Sequence, residues 1–156
     1  RHAEKSKKVL SKSEQKRVKF ISADADGTLP FANNFFDAVT MIATFEHFFD
    51  PYHVLKEVTR VLRLNGILII QVPNLGFLPR RIAVLLGNLP VTSEHQTGWD
   101  GGHLHYFTVS SLTKFLENKN YDIIEITCSG VFAPLRRWWL SLLGPDIIIS
   151  SRKIAS

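Results

Sequence analysis

Hydrophobic and polar positions along this chain switch period several times, and each switch marks an element. The run Phe35-Phe36-Asp37-Ala38-Val39-Thr40-Met41-Ile42-Ala43-Thr44-Phe45-Glu46-His47 is apolar with β-branched members, then passes into a small residue and a polar cluster. A buried parallel strand reads this way when its carboxyl end opens into a crevice. Asp50 is placed to cap the helix that follows, Pro51 suits its first position, and Val54, Leu55, Val58, Val61 and Leu62 recur at helical spacing. Asn65-Gly66 is expected to stop that helix. The next run, Ile67-Leu68-Ile69-Ile70-Gln71-Val72-Pro73, is so uniformly apolar that it predicts a second central strand covered on both faces. The unit is strand, helix, strand.

The flanks carry weaker patterns. Residues 1–17 predict a basic, polar helix in which only Ala3, Val9 and Leu10 ask for burial. Asp26 to Asn34 is rich in turn formers and reads as a loop. Residues 74–107 have no place in a minimal doubly wound sheet. They hold one amphipathic piece, Leu78 to Leu86, then Gly87-Asn88-Leu89-Pro90 and a polar loop through Gly101-Gly102, and an insertion of this length is expected to act as a lid. Thr108 or Ser110 can cap a helix with Leu112, Phe115 and Leu116 inward, which Asn118-Lys119-Asn120 ends. Tyr121 to Cys128 and Asp146 to Lys153 are the last two strands. Between them, Leu135-Arg136-Arg137-Trp138-Trp139-Leu140 sets two cations beside two indoles. The two Trp are expected to pack onto the sheet, with contact to a membrane surface or a lipid-linked substrate as the alternative.

Composition narrows the setting. The 156 residues, 45% of them hydrophobic, suffice for one domain around a single core. No apolar run approaches a membrane span and no leader pattern opens the chain, so it reads as a cytoplasmic protein without a transmembrane segment. A single cysteine, Cys128, leaves no internal disulfide and no cysteine-based zinc cluster. The net charge of +5 is local: residues 1 to 19 hold eight Lys or Arg against two Glu, and the remainder hold eleven basic against twelve acidic side chains. Neither interleaved aromatic residues nor a reading motif accompanies those cations, so a solvated helix face is expected and no nucleic-acid contact. Serine-hydrolase and phosphate-loop signatures are absent.

Several short motifs then fall in order: Val18-Lys19-Phe20-Ile21-Ser22-Ala23-Asp24-Ala25, Leu29-Pro30-Phe31, Phe36-Asp37, Glu46-His47, Leu62-Arg63-Leu64-Asn65-Gly66-Ile67-Leu68 and Val72-Pro73-Asn74. Their order and spacing resemble the class I S-adenosylmethionine-dependent methyltransferases, over roughly residues 18 to 153. His103-Leu104-His105-Tyr106-Phe107-Thr108 resembles the branch that includes methionine-biosynthesis-linked and cell-surface methyltransferases. The resemblance implies an α/β, Rossmann-like fold with a mostly parallel sheet and an antiparallel C-terminal strand, residues 1–156 forming a single partial domain in which Val18 to Ala23 is the third strand. It implies S-adenosylmethionine as cofactor and a small-molecule, sugar or lipid-linked methyl acceptor. Methyl transfer from a sulfonium is an in-line displacement, so the site must align two partners and needs at most a base.

By position, the family's adenine contacts fall on the Asp24 carboxylate and the backbone N–H of Ala25, although Asp24 also suits a turn cap. Met41, Ile42, Ala43 and Thr44 would lie under the sulfonium and the amino-acid part, with small Ala43 where backbone and ligand approach. His47, following Glu46, is a candidate catalytic base or a hydrogen-bond partner of a loop. His105 is the second catalytic candidate, a lid histidine. His103 and His105 share one side of an extended segment, but His95 and Asp100 lie in an irregular loop and no third ligand stands at a recognisable spacing, so no metal is assigned.

Two family features have no counterpart: the Gly-x-Gly loop after the first strand and the acidic residue after the second. The family's sheet order is third, second, first, fourth, fifth, seventh, sixth, so a third strand without the first two would expose both edges. The expected remedies, in order, are residues preceding Arg1, a complementing chain, or repacking against the fourth strand or a second copy in a homodimer. Two competing functions remain, a non-catalytic methyltransferase-like subunit and a basic module acting through residues 1 to 19.

Overall fold

The structure, a computed structural model, describes residues 17–92, 102–129 and 139–155. Nearly all of the expected basic helix, with His95, Asp100, Gly101 and the segment Leu135 to Trp138, lies outside them. Strand β1 (Phe36–Ile42) runs through a 3-10 turn (Phe45–His47) into helix α1 (Pro51–Val61) and strand β2 (Leu62–Pro73). Helix α2 (Leu78–Leu85), helix α3 (Val109–Glu117), strand β3 (Tyr121–Thr127), the short helix α4 (Leu140–Leu143) and strand β4 (Asp146–Lys153) follow. The strands form one sheet in the order β1-β2-β4-β3. β1 and β2 are parallel, and β4 runs antiparallel to both of its neighbours.

Local chemistry explains most boundaries. The Asp50 side chain accepts from Tyr52 N (3.0 Å) and His53 N (3.1 Å), and Pro51 opens α1. Thr108 and Ser111 form a reciprocal capping box on α3, and Asn120, at φ 63°, supplies the left-handed step beyond its end. One boundary differs from expectation. α1 stops at Val61 and the chain enters β2 at once, so Asn65-Gly66 does not end the helix. It sits in a bulge where pairing jumps from Phe36–Leu62 to Ala38–Ile67. A Cβ on Gly66 would lie 2.7 Å from Leu62 Cδ1 and 2.8 Å from Arg63 O, so only glycine fits.

The core sits on one sheet face. Leu68, Ile70 and Val72 of β2 and Ile147 and Ile149 of β4 are fully buried against Val54, Leu55 and Val58 of α1 and Leu112 and Leu116 of α3. The intervening Ile67, Ile69 and Gln71 are half-buried, so the second face of β2 is less covered than its uniform apolarity implies. Trp139 is 63% exposed and does not pack onto the sheet as expected. No helix among the described residues is long and apolar enough to cross a membrane.

The expected third strand is not formed. Val18 to Ala23 is not among the strands of the sheet, and Val18 and Ile21 are exposed. A strand is stable only when its backbone groups are paired, and the neighbours that the family order would give this segment are missing from the sheet. β1 is consequently an edge, pairing only with β2 among the described residues. An apolar hollow of about 290 Å³ beside it is lined by Leu29, Phe31, Phe36, Ala38, Val39 and Val61.

Polar pins fix the remaining loops. Glu57 accepts from Leu29 N (2.9 Å) and from Arg60, whose guanidinium also donates to the Leu29 and Phe31 carbonyls, so residues 29–33 are strapped along α1. The Arg60 bonds hold the Glu57 carboxyl at about 2, well below the usual range. The buried Lys153 ammonium donates to the carbonyls of Thr59 (2.8 Å) and Leu62 (2.9 Å) at the carboxyl end of α1, and burial pushes it below the ordinary lysine range.

Two outcomes are expected. Glu57→Gln should lower stability by about 1–2 kcal/mol at neutral pH in urea unfolding. Because the folded carboxyl titrates below its unfolded value of 4.5, the advantage of the wild type should be complete above that value and vanish as pH falls towards about 2. Lys153→Met should cost about 1–3 kcal/mol, since it leaves two carbonyls without their donor.

Candidate functional site

The last rung of the parallel ladder is Ala43 N donating to Gln71 O at 3.0 Å. Immediately after it the chain breaks: Ala43 takes φ 48°, a conformation that costs a residue with a Cβ about 1 kcal/mol. Met41 packs its side chain into the core, whereas Ile42, Ala43 and Thr44 are exposed. Phe45 then returns to the core, fully buried and stacked on Phe107 with ring centroids 5.6 Å apart. That anchor sets the alternation of the turn, carrying the Glu46 side chain inward, 1% exposed, and His47 outward.

The end of the insertion closes onto this turn. Glu46 O accepts from both Leu104 N (2.9 Å) and His105 N (3.1 Å), and Leu75 N donates to Phe107 O (2.8 Å). Asn74, fully buried, pins the start of the insertion: its amide donates to the Ser141 and Gly144 carbonyls and accepts from Gly76 N. His47 Nδ1 donates to Gly102 O at 2.7 Å, which leaves Nε2 as the ring's acceptor. The His47 and His103 rings meet edge to face at 4.6 Å. His103 Nε2 lies 4.0 Å from Glu46 Oε1, and its Nδ1 pairs with Thr92 Oγ1 at 2.5 Å. His105 Nε2 is buried without a hydrogen-bond partner among the described residues, so that atom does not face solvent.

Asp24 and Ala25 belong to a separate turn tied to the same end of the sheet. Asp24 Oδ1 accepts from Asp26 N (3.0 Å) and Asp24 O from Gly27 N (3.3 Å), the turn-capping role open to it from sequence. Asp26 Oδ1 in turn accepts from Phe49 N (2.9 Å) and Asp50 N (3.3 Å), two and three residues past His47. Asp24 as a residue is exposed.

The structure thus gathers Ala43 to His47 with the residues 102–105, and tethers the Asp24 turn to the chain that leaves them. Sequence reasoning passed over Glu46 as a buried group, His103 as its neighbour, and Asp26 as the tether. The placement of His103 and His105 on one side of an extended segment was the signal the sequence offered for the second of these. A larger hollow, about 810 Å³, runs along α1 between Asn33, Tyr52, Lys56 and Asn118. None of the candidate groups lines it, and the convergence of ionisable side chains makes the end of β1 the better site.

Among known proteins, residues 2–70 match the profile of a family described as Methyltransferase domain. No curated protein matches the chain in sequence. Similar solved structures include an S-adenosylmethionine-dependent methyltransferase of Thermotoga maritima, described as a possible histamine N-methyltransferase: 18% identity, TM-score 0.60, 90% of this chain and 68% of that one. A putative methyltransferase of Haloferax volcanii, in complex with the Trm112 methyltransferase activator, matches at 14% identity and TM-score 0.60 over 87% of this chain and 62% of that one. The cyclase SpnF matches at 17% identity and TM-score 0.63, over 99% and 61% respectively. The chain therefore spans about two thirds of the length of these structures. It has the α/β, Rossmann-like methyltransferase fold with a four-stranded mixed sheet, truncated relative to the full fold, and its residues 2–70 are similar to a methyltransferase domain.

Proposed function

We propose that the chain carries part of an S-adenosylmethionine-dependent methyltransferase site, acting on a small-molecule, sugar or lipid-linked acceptor. The observation that carries this reading is the break after β1. An exposed strand end with left-handed Ala43 opens beside the Asp24 turn, within the residues that match the methyltransferase profile. Backbone strain of this kind persists where a ligand needs close approach.

In this reading the Asp24 carboxylate takes the adenine amino group and Ala25 N–H a ring nitrogen. Ile42, Ala43 and Thr44 border the sulfonium and the amino-acid part, and Met41 contributes backbone only, its side chain being committed to the core. Exposed His47 stands on the acceptor side as the proton acceptor. His105 serves by holding residues 74–107 as a lid, through its N–H on Glu46 O. Methyl transfer would then depend on alignment more than on acid–base chemistry, as a displacement at sulfur-bound carbon allows. The S-adenosylmethionine supplies the activated methyl group when bound.

The β1 edge, unpaired among the described residues, and its apolar hollow support a second reading, a subunit completed by another chain or a second copy and serving assembly rather than catalysis.

Isothermal titration with S-adenosylhomocysteine separates the two, performed on this chain and on a form extended upstream. The enzyme reading expects binding that is tight only in the extended form and about tenfold weaker after Asp24→Ala. Absence of binding in both forms, with both folded by circular dichroism, would leave the assembly role. Ala43→Gly should raise stability by about 0.5–1 kcal/mol in thermal unfolding, because glycine accepts a positive φ without strain.

A further inference from the structure

We propose that Glu46, His47 and His103 form a binding site for a divalent first-row transition cation. One donor atom from each of the three side chains lies within 4.8 Å of the other two. Their spacing in sequence conceals this, since Glu46-His47 belongs to the turn after β1 and His103 to the returning insertion. Two backbone hydrogen bonds to Glu46 O and the His47–Gly102 contact bring the segments together.

The second observation is the state of Glu46. The residue is 1% exposed, and among the described residues Oε2 has no hydrogen-bond partner while Oε1 has an imidazole nitrogen at 4.0 Å, beyond hydrogen-bond reach. Burying a carboxylate without a donor is costly, and proteins avoid it unless a cation compensates. Nothing in the fold of the turn requires a carboxylate there, because the packing anchor is the neighbouring Phe45.

Each imidazole has its Nδ1 hydrogen-bonded, which leaves Nε2 as the available donor atom. A metal-bound histidine ordinarily donates its other ring N–H to a carbonyl or hydroxyl, which fixes the tautomer and raises basicity. His47 Nδ1 does this to Gly102 O, and His103 Nδ1 is paired with Thr92 Oγ1, so that His103 Nε2 is the atom turned to Glu46. Bonds of about 2.1 Å would place the ligand atoms about 3–3.5 Å apart, so the ion draws the side chains in by about an ångström. His47 is exposed and can make that adjustment. Two imidazoles with one carboxylate suit zinc, iron, cobalt or manganese better than the oxygen-seeking calcium or magnesium.

Three protein ligands leave coordination positions open on the exposed His47 side. A solvent or substrate oxygen completing the shell would be acidified there. Ligation would occupy the lone pair that His47 would need as a base, so proton removal would pass to that ion-bound oxygen. Cation binding itself requires no methyl donor and stands or falls independently of the transferase reading.

The test is titration of Co²⁺ into the tag-free chain in metal-free buffer, followed by visible d–d absorption. One saturable equivalent with a Kd of about 10 μM or below is expected, with a rise in melting temperature in Zn²⁺. Glu46→Gln and His103→Gln should each weaken binding about a hundredfold and Thr92→Val about tenfold, while His53→Gln, outside the cluster, leaves it unchanged. Should Glu46→Gln fail to fold, His47→Asn, at an exposed position, gives the decisive comparison. Absence of saturation up to about 1 mM, or equal binding by wild type and His47→Asn, overturns the site and leaves Glu46 and His103 as packed neighbours.

Discussion

Parallel pairing of β1 with β2 is the constraint from which the rest follows. Two parallel neighbours cannot be joined by a hairpin, so α1 must cross between them and return the chain to its starting end. Both carboxyl ends then lie on one side of the sheet. Ala43 to His47 leave from one of them and Asn74 from the other, and the insertion begins where the β1 turn already waits. The bridge between Asn74 and Phe107 and the paired N–H groups on Glu46 O close the circuit. A crevice at such a position results from connectivity before any side chain is chosen.

Packing and polar satisfaction divide the work around that frame. Apolar burial is concentrated between one sheet face and the helices α1 and α3, which gives the molecule its core but cannot fix loop positions. Loops are fixed by polar groups with few alternatives. Asn74 satisfies two carbonyls and an N–H at full burial, Lys153 closes the end of α1, and Arg60 with Glu57 holds residues 29–33. Glu46 departs from this rule. Its backbone carbonyl is doubly used while, among the described residues, its carboxylate is left with an unpartnered oxygen, the one charged group among the few buried polar atoms in that state.

Fold and chemistry separate clearly here. Structures with this fold include described methyltransferases and a cyclase, at identities that establish architecture alone. What the chain can do therefore rests on particular groups: an exposed strand end, a tethered acidic turn, and a carboxylate with two imidazoles. Among the described residues β1 pairs only with β2, and an unpaired strand edge beside an apolar hollow favours being covered.

The sequence by itself determined the local elements. Asp50, Pro51 and the apolar spacing gave α1, Thr108 or Ser110 marked the start of α3 and Asn118-Lys119-Asn120 its end, and continuous apolar runs gave β1 and β2, because caps and patterning act over a few residues. It misplaced what depends on distant partners. Val18 to Ala23 has strand composition but joins no strand of the sheet, Asn65-Gly66 has stop-signal chemistry but lies in a bulge dictated by the β1 register, and Trp139 is largely exposed where its ring suggested burial. Among candidate site residues, Ala43 to His47 were legible as a strand end turning polar. The meeting of Glu46 and His47 with His103, more than fifty residues away in the chain, was decided by tertiary structure alone, since only the folded insertion brings its backbone donors to Glu46 and its imidazole beside the buried carboxylate.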